Sequence, residues 1–392
     1  MHAKHLGILA SVVLVASSAV TQQAAPPIPV TVDCNAGQSL NRTLAKLEKH
    51  TPFLVSVNGT CTEFVQVTGF NQLTLKGLSG ATLVQPPTGA GNLFNAVLLI
   101  GSSQSVTVEG LSVQADTTTV AGIGIGHGSS DIRLRNLSVQ GGTESILVFE
   151  NSQVSLAHVT ARDPGYTTLG IYDSSDVHLE HSAFAHSTGA LWHVGIDLGA
   201  SHITMYDTTI KNMQHGINAY ARSIVDIQSF DTYYPFGGRT DVTIDSPAGT
   251  NYNGVFLGGG ASLNVNTNLV INKPGQVWGG NTGGILVSEG ATVNANANLV
   301  ISGSQASGIF VTSNSHASLS GSSITGSNHG GVVVVNLSSV DVQSGSVLAN
   351  IGGNSVDLFC DAQSLIAGAS NIAGAPTTQC PNLLPGDNVP TP

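Results

Sequence analysis

The residues best suited to chemistry in this chain are concentrated between positions 162 and 278. This segment holds both tryptophans, most of the tyrosines and much of the scarce positive charge. Aromatic faces stack on the C–H surfaces of sugars, Asn, Asp and His bond to hydroxyls, and Arg or Lys pairs with uronate carboxylates. The segment therefore predicts a polysaccharide-binding groove, with substrate contacts at Tyr172, His215, Asn218, Tyr220, Tyr233, Arg239 and Trp278.

Two other interpretations of the same residues stay open. A long loop can fold its aromatic side chains back onto its own scaffold, which would make them structural. An aromatic surface can also bind another protein. Neither interpretation requires a reaction.

A catalytic centre in this groove would need carboxylates and a proton-transferring group. A lyase needs acidic residues that hold Ca²⁺, or another neutraliser of the uronate, and a base that removes the proton beside its carboxyl group. A hydrolase needs two carboxyl groups at a defined separation, and Asp163 or Asp173 could pair with Asp197. We predict a centre that contains Asp173, His193, Asp197 and Arg222, with Lys211 as another candidate base and Ca²⁺ as an optional cofactor. Whether the chain is an enzyme stays open.

Six histidines between positions 178 and 215 suggest a metal site as a further hypothesis. Strand alternation instead predicts that they are distributed over different faces, because His178 and His202 fall on one strand position and His193 and His215 precede another. The spacing therefore assigns no metal ligand. His193 and His215 are better suited to acid–base chemistry or to binding hydroxyls.

The composition excludes several classes of protein. Of 392 residues, 47 are glycine and 9% are charged, and 12 Lys and Arg against 23 Asp and Glu give a formal net charge of -11. Such a charge repels nucleic-acid phosphates. A hydrophobic content of 41% argues against disorder. The chain is also poor in the charged residues that cover solvated helices, which leaves a β-rich, glycine-punctuated protein.

A repeat of about 24 residues predicts the elements that position these groups. A phrase of glycine or serine, an aliphatic residue and further alternation recurs nine times, near positions 122, 145, 170, 195, 216, 254, 284, 308 and 331. Each phrase is followed by a second and usually a third short alternating strand. Three strands per repeat, joined by Gly, Ser and Asn turns, are typical of one coil of a parallel β-solenoid. We expect about ten to twelve coils, with eight of the glycines in one column.

Stacking of the coils predicts which side chains share the outer surface. If the branched residue of each phrase points into the core, the next residue points outward. The outward column then reads Gly124, Leu147, Tyr172, Asp197, Asn218, Phe256, Leu286, Phe310 and Val333. Tyr172, Asp197 and Asn218 should form one continuous patch. Outside this column, the matching frames Asn264, Asn266, Asn268 and Asn294, Asn296, Asn298 predict stacked amides.

The ends of the chain indicate export. Residues 1–24 have a basic start, a short apolar run and small residues, as in a signal peptide, and no other segment could insert in a membrane. Residues 25–380 form one predicted domain, with a capping helix over 38–50, an inserted loop over 229–253 and a flexible Pro-rich tail over 381–392. Four cysteines allow three pairings, and we favour Cys34–Cys61 and Cys360–Cys380 because they close short loops. These features predict a secreted or periplasmic protein.

The signal peptide, the Cys34–Cys61 bracket and the Gly-Ile-x-Val coils together resemble secreted bacterial right-handed parallel β-helix proteins of the pectate-lyase-like superfamily. The resemblance covers about residues 30–380 and implies that fold. It implies no single activity, because the superfamily includes lyases, hydrolases, epimerases and phage tailspikes. Our leading hypothesis is a protein that binds a polysaccharide along the coils formed by residues 144–256 and could cleave it. The alternative is a non-catalytic surface scaffold that contacts proteins through Phe256, Leu286, Phe310 and Val333; the oligomeric state is not predicted.

Overall fold

A computed structural model describes residues 26–87, 95–117, 120–187, 193–228, 241–245, 253–272, 274, 283–345 and 349–385. Their strands form three parallel sheets that wind together through about 12 turns, so the predicted β-helix is confirmed. Each strand pairs in parallel with the equivalent strand of the next coil. Sheet 1 contains Val65–Thr68, Ala96–Gly101, Ala121–Gly126, Glu144–Val148, Thr167–Tyr172, Val194–Gly199, His215–Tyr220, Asn253–Leu257, Gly283–Val287, Ser307–Val311, Gly330–Val334, Leu358–Cys360 and Thr378–Gln379.

The other two sheets share two long strands, Asp176–Ala185 and His202–Lys211, each of which pairs in both sheets. Sheet 2 also contains Ile28–Asp33, Phe53–Asn58, Leu73–Gly77, Val106–Glu109, Ile132–Arg135, Gln153–Ala157, Ile224–Ile227, Ser262–Val265, Thr292–Ala295, His316–Leu319, Ser339–Val342 and Leu365–Ala367. Sheet 3 also contains Thr60–Thr62, Thr82–Val84, Ser112–Gln114, Ser138–Gln140, Thr160–Arg162, Val242–Asp245, Leu269–Asn272, Leu299–Ser302, Ser323–Thr325 and Asn350–Gly352.

The core is a stack of aliphatic side chains that point inward from every coil. Leu169, Ile196 and Ile217 occupy equivalent positions in three consecutive coils, and each is fully buried. Burial of each such side chain contributes about 1.5–3 kcal/mol relative to exposure. Because every coil repeats this pattern, one continuous core supports the whole described solenoid.

Close packing explains the glycine column of sheet 1. A Cβ on Gly195 would lie 2.5 Å from the Gly216 carbonyl oxygen and 2.5 Å from Ile210 Cγ2, and Gly216 has the same contacts with the following coil. The glycines therefore make room for the next coil. One predicted member was wrong: the register places Thr168, not Gly170, in line with Gly195, because Leu169 pairs with Ile196.

The three corners of a coil differ in length. Between sheets 2 and 3, several coils turn on a single residue with positive φ, as at Asn136, His158, His181 and Asp207. Between sheets 3 and 1, the connection ranges from two residues, 63–64, to eleven residues, 85–95. Several long connections thus enter sheet 1 at one edge, whereas the connection of fourteen residues, 228–241, joins sheets 2 and 3.

The N-terminal coil is covered by a helix that is shorter than predicted. It spans Leu40–Leu44 within the expected 38–50, and Leu40 and Leu44 are buried against the core. The Ser39 hydroxyl accepts from Arg42 N, and Glu63 accepts from Leu40 N and Asn41 N. These acceptors satisfy the first backbone donors of the helix. Two 3₁₀ turns, Cys34–Ala36 and Ala369–Asn371, complete the helical structure of the described residues.

Disulfides close both ends of the described chain as predicted, Cys34–Cys61 and Cys360–Cys380. The first residues of the predicted tail pair with the last coil, since Leu384 N donates to the Ile366 carbonyl at 2.9 Å. The predicted loop 229–253 includes the sheet 3 strand Val242–Asp245; its residues 229–240 and 246–252, the predicted signal peptide and residues 386–392 lie outside the described residues. Among the described residues, no helix is long and apolar enough to cross a membrane.

Candidate active site

The outer face of sheet 1 carries several of the residues predicted to be functional. At one coil, the observed strand register differs by two residues from the predicted one. Leu147, Gly170, Asp197 and Asn218 are aligned on consecutive strands. Tyr172 was predicted in this column, and that prediction was wrong. The Tyr172 backbone aligns instead with Gly199, which aligns with Tyr220. Gly170, and not Tyr172, is therefore the residue beside Asp197 in this column.

Two carboxylates meet at one tyrosine hydroxyl on this face. Glu144 lies on strand Glu144–Val148 and Asp197 on strand Val194–Gly199, with strand Thr167–Tyr172 between them. The Tyr172 hydroxyl lies 2.8 Å from Asp197 Oδ2 and 3.4 Å from Glu144 Oε1. Asn218 Nδ2 donates to Asp197 Oδ1 at 2.6 Å. We name these four residues, Glu144, Tyr172, Asp197 and Asn218, the carboxylate cluster.

Two glycines form the floor of the carboxylate cluster. A Cβ on Gly170 would lie 2.8 Å from the Tyr172 ring and 3.0 Å from Glu144 Oε2. A Cβ on Gly199 would lie 3.0 Å from the Tyr220 ring and 3.2 Å from the Tyr172 ring. Side chains at these positions would displace the acids and the tyrosines, so the glycines create the space that the cluster fills.

Burial and charge change the proton affinities of the cluster. Desolvation, reinforced by the nearby charge of Asp197, raises the pKa of Glu144 to about 7. Desolvation also raises the pKa of Asp197, which is 4% exposed, against the opposing effect of its hydrogen bonds from Tyr172 and Asn218. A buried acid with a pKa near neutrality can donate a proton under ordinary conditions.

The single hydrogen of the Tyr172 hydroxyl indicates which of the two acids is protonated. A tyrosine hydroxyl has one hydrogen, and the shorter distance directs it to Asp197. At 3.4 Å the Tyr172 hydroxyl is only a weak donor to Glu144, so an ionised Glu144 would be poorly satisfied and its protonated form is favoured. Asp197 receives donors on both of its oxygens and is satisfied as a carboxylate. The geometry and the pKa of Glu144 therefore agree on a protonated Glu144 and an ionised Asp197.

Aromatic and apolar groups surround the carboxylate cluster. The Tyr172 ring packs against an outward apolar cluster that includes Leu147 and Phe149. Tyr166 and Tyr220 are 43% and 37% exposed. Their pKa values are raised by desolvation and by the charges of Asp197 and Glu144, that of Tyr220 to about 12. Both rings therefore lie near the acids with part of their surface free to contact a ligand.

The histidines predicted for this face lie beside the cluster. His215 occupies the same outward column as Glu144, aligned with Val194 and Asn253, and burial lowers its pKa to about 4. His193 stacks on His186 with ring centroids 4.2 Å apart, and desolvation followed by the charge of His186 lowers its pKa. A low pKa keeps both rings neutral near pH 7.

Asp173 and Arg222 lie in turns that follow sheet 1 strands. Asp173 has φ 58° and is close enough for its charge to raise the pKa of Tyr220 slightly. Arg222 lines a cavity of about 270 Å³ with Asp176 and His202, at the corner toward sheet 2. The structure thus brings Asp173 near the tyrosines and separates Arg222 from the acids. Tyr233, Arg239 and Trp278 lie outside the described residues.

The described ranges of the chain contain no close group of three carboxylates that could hold Ca²⁺. The one close group of three metal-ligating residues there is Cys34, Cys61 and Glu63, whose cysteines form a disulfide. His178 and His202 lie on the outer face of sheet 2, away from His193 and His215, as strand alternation predicted. His202 bonds to Asp176 Oδ1 at 2.8 Å and to Asp226 Oδ2 at 3.1 Å. The predicted amide ladder is also confirmed, since Asn294, Asn296 and Asn298 donate to Asn264, Asn266 and Asn268.

Glu144 is not among the residues predicted from the sequence, because its coil has Ser145 where the recurring phrase has glycine. Aligning the coils on their core residues Ile146, Leu169 and Ile196 would have placed Gly170 in the outward column. A glycine at an outward position, flanked by acids on nearby coils, was the available signal.

No model of a known protein family and no curated protein matches the chain. Solved structures similar to it include the catalytic domain of a GH87 α-1,3-glucanase in complex with tetrasaccharides, at 14% identity and TM-score 0.48, covering 85% of this chain and 71% of that one. Others are the Yersinia enterocolitica pectin methylesterase, at 17% identity, coverage of 60% and 79% and TM-score 0.34, and the receptor-binding tailspike of bacteriophage Det7, at 11% identity, coverage of 91% and 76% and TM-score 0.43. These similarities concern the fold alone. The chain is a parallel β-helix solenoid, as its own strand pairing shows.

Proposed function

We propose that the protein binds a polysaccharide across the outer face of sheet 1 and hydrolyses it at the carboxylate cluster. The observation that carries the proposal is the pair Glu144 and Asp197, bridged by the Tyr172 hydroxyl, with the pKa of Glu144 raised to about 7. Glycoside hydrolysis commonly uses one protonated and one ionised carboxyl group. Of the four residues predicted as catalytic, Asp197 keeps this role in the proposal.

Each member of the cluster has one task in this reaction. Glu144 donates its proton to the glycosidic oxygen while the bond from that oxygen to the anomeric carbon breaks. The Asp197 carboxylate stabilises the positive charge that develops on the sugar, or activates the water that completes hydrolysis. Tyr172 and Asn218 hold Asp197 in place as positioning residues. Tyr166 and Tyr220 offer exposed rings for stacking of the sugars on either side.

Hydrolysis fits the cluster better than β-elimination. A lyase needs a base beside the substrate and a positive group that neutralises its carboxylate. The groups that bond to Asp197 within the described part of the chain are the uncharged Tyr172 hydroxyl and Asn218 amide. Glu144 is protonated and serves as an acid rather than a base.

The test is turnover of a panel of neutral and uronate polysaccharides, followed by a reducing-end assay and by absorbance at 235 nm. Glu144→Gln and Asp197→Asn should each lower hydrolysis by about 10²–10⁴-fold, because each removes a group with a direct role in bond cleavage. Glu109→Gln is the matched control, since Glu109 pairs with Lys76 on sheet 2. Full activity in E144Q, or an unsaturated product at 235 nm, would contradict the proposal.

The alternative of a protein-binding scaffold gains little support from the apolar column. Leu286 and Phe310 are only 9% and 7% exposed, and Phe256 and Val333 are partly exposed. The two buried side chains offer little contact area to a partner.

A further inference from the structure

The charge of the candidate site restricts the sugars that it can accept. We propose that the carboxylate cluster selects uncharged sugars and rejects uronates at the position in contact with Glu144 and Asp197. This inference rests on the proposed function and names its substrate class.

The cluster contains a negative charge that solvent screens poorly. Asp197 is 4% exposed and is held as a carboxylate by donors on both oxygens. Its charge reaches three tyrosines, since it contributes to the raised pKa values of Tyr166, Tyr172 and Tyr220. Tyr166 and Tyr220 are partly exposed, so a ligand that stacks on their rings lies within reach of this negative charge. Charges interact more strongly at such partly dry positions than in bulk water.

Uncharged groups supply the hydrogen bonds of the cluster. Within the described ranges, no salt bridge joins Lys or Arg to Glu144 or Asp197, and Arg222 lines a different cavity. A uronate carboxylate at this position would lie close to the Asp197 carboxylate. It would also oppose the negative charge that Glu144 acquires when it donates its proton. Repulsion between negative charges at such short distances is unfavourable.

A neutral sugar can use every group that the site offers. Glu144 Oε2 is buried and has no hydrogen-bond partner among the described residues, so a rotation of the Glu144 carboxyl group that exposes this atom would offer a sugar hydroxyl an acceptor. Its apolar faces can stack on Tyr166 and Tyr220. The site therefore combines aromatic platforms and acceptors, which suits hydroxyl donors.

The experiment compares each glycan with its own charged form. Neutral glucan, mannan and xylan oligosaccharides, and the glucan and mannan oxidised to carboxylates at C6, are titrated into the hydrolysis-impaired E144Q protein by calorimetry, alongside oligogalacturonate. At least one neutral oligosaccharide should bind, and about tenfold more tightly than an oxidised form or oligogalacturonate. Adding Asp197→Asn to E144Q should narrow this ratio, and adding Asn218→Asp should widen it. Glu109→Gln in the same background is the control and should leave the ratio unchanged.

The outcomes separate this inference from the proposed function. Equal or tighter binding of the oxidised oligosaccharides or of oligogalacturonate overturns the inference and leaves a glycan-binding site intact. A ratio that neither charge-changing variant alters also overturns it, provided that thermal unfolding shows the variants folded. Absence of binding by every probe overturns the proposed function, and the inference falls with it.

Discussion

At the scale of single residues, the single hydrogen of the Tyr172 hydroxyl gives Glu144 and Asp197 different roles. Tyr172 can donate to Asp197 or to Glu144 at any moment, and the distances of 2.8 and 3.4 Å favour Asp197. Glu144 is consequently the acid that retains its proton. Such a division of roles depends on environment, because the two carboxyl groups have similar chemistry in water.

The Tyr172 hydroxyl should set the pH range of activity. Its hydrogen bonds lower the pKa values of Glu144 and Asp197, so Tyr172→Phe should raise both. The acidic limb of the kcat/KM profile, where Asp197 protonates, and the basic limb, where Glu144 ionises, should therefore both move to higher pH. The pH–rate profile measures this, with Tyr206→Phe on the outer face of sheet 2 as the control. An unmoved profile would show that the bridge has no positioning role.

Glu144 should reduce stability at neutral and alkaline pH. Its folded pKa of about 7 lies above the ordinary value of 4.5, so its contribution is most favourable below pH 4.5 and is lost as pH rises through 7. The loss amounts to about 3 kcal/mol. The free energy of unfolding of E144Q minus that of the parent protein, measured in urea, should increase by up to this amount between pH 4.5 and pH 8. A gain that is equal at both pH values would argue against the raised pKa.

At the scale of elements, the glycine column of sheet 1 allows consecutive coils to approach. Gly216→Ala would set a Cβ 2.5 Å from Ile244 Cγ2 and 2.6 Å from the Gly254 carbonyl oxygen. We expect a cost of about 1–3 kcal/mol or more in the free energy of unfolding, because neither neighbour can move without disturbing its own coil. Gly352→Ala, whose nearest contact is at 3.8 Å, should change stability by less than about 0.5 kcal/mol. Similar losses in the two variants, measured by chemical denaturation, would exclude this role for the column.

The strands and the core could be predicted from the sequence, and the register of the site could not. Ile196 and Ile217 reveal their inward position by alternation alone, and the short loop between Cys34 and Cys61 indicates its disulfide. The approach of Glu144 to Asp197 depends on two successive strand registers and on the absence of a side chain at Gly170. Such a contact arises from stacking across coils, which local sequence periodicity does not encode.

At the scale of the whole molecule, each coil depends mainly on its two neighbours, as in other solenoids. Loss of the Cys34–Cys61 disulfide should therefore loosen the first coils, at a cost of about 2–4 kcal/mol, while the carboxylate cluster remains folded. The double variant Cys34→Ser/Cys61→Ser should be cleaved near its N-terminus in limited proteolysis and should retain turnover. Cys360→Ser/Cys380→Ser should show the mirror pattern at the other end. Loss of activity in step with N-terminal cleavage would indicate a single cooperative unit.

The unequal corners of the coil affect how this architecture can evolve. The corners between sheets 2 and 3 are tight turns in the coils with Asn136, His158 and His181, whereas the connections from sheet 3 to sheet 1 differ in length from two residues to eleven. Insertions accepted at that edge would rise next to the outer face of sheet 1 and leave the register of the coils unchanged. Descendants of such a chain could therefore acquire new ligand preferences through loop length alone, while inheriting the same acids on the same strands.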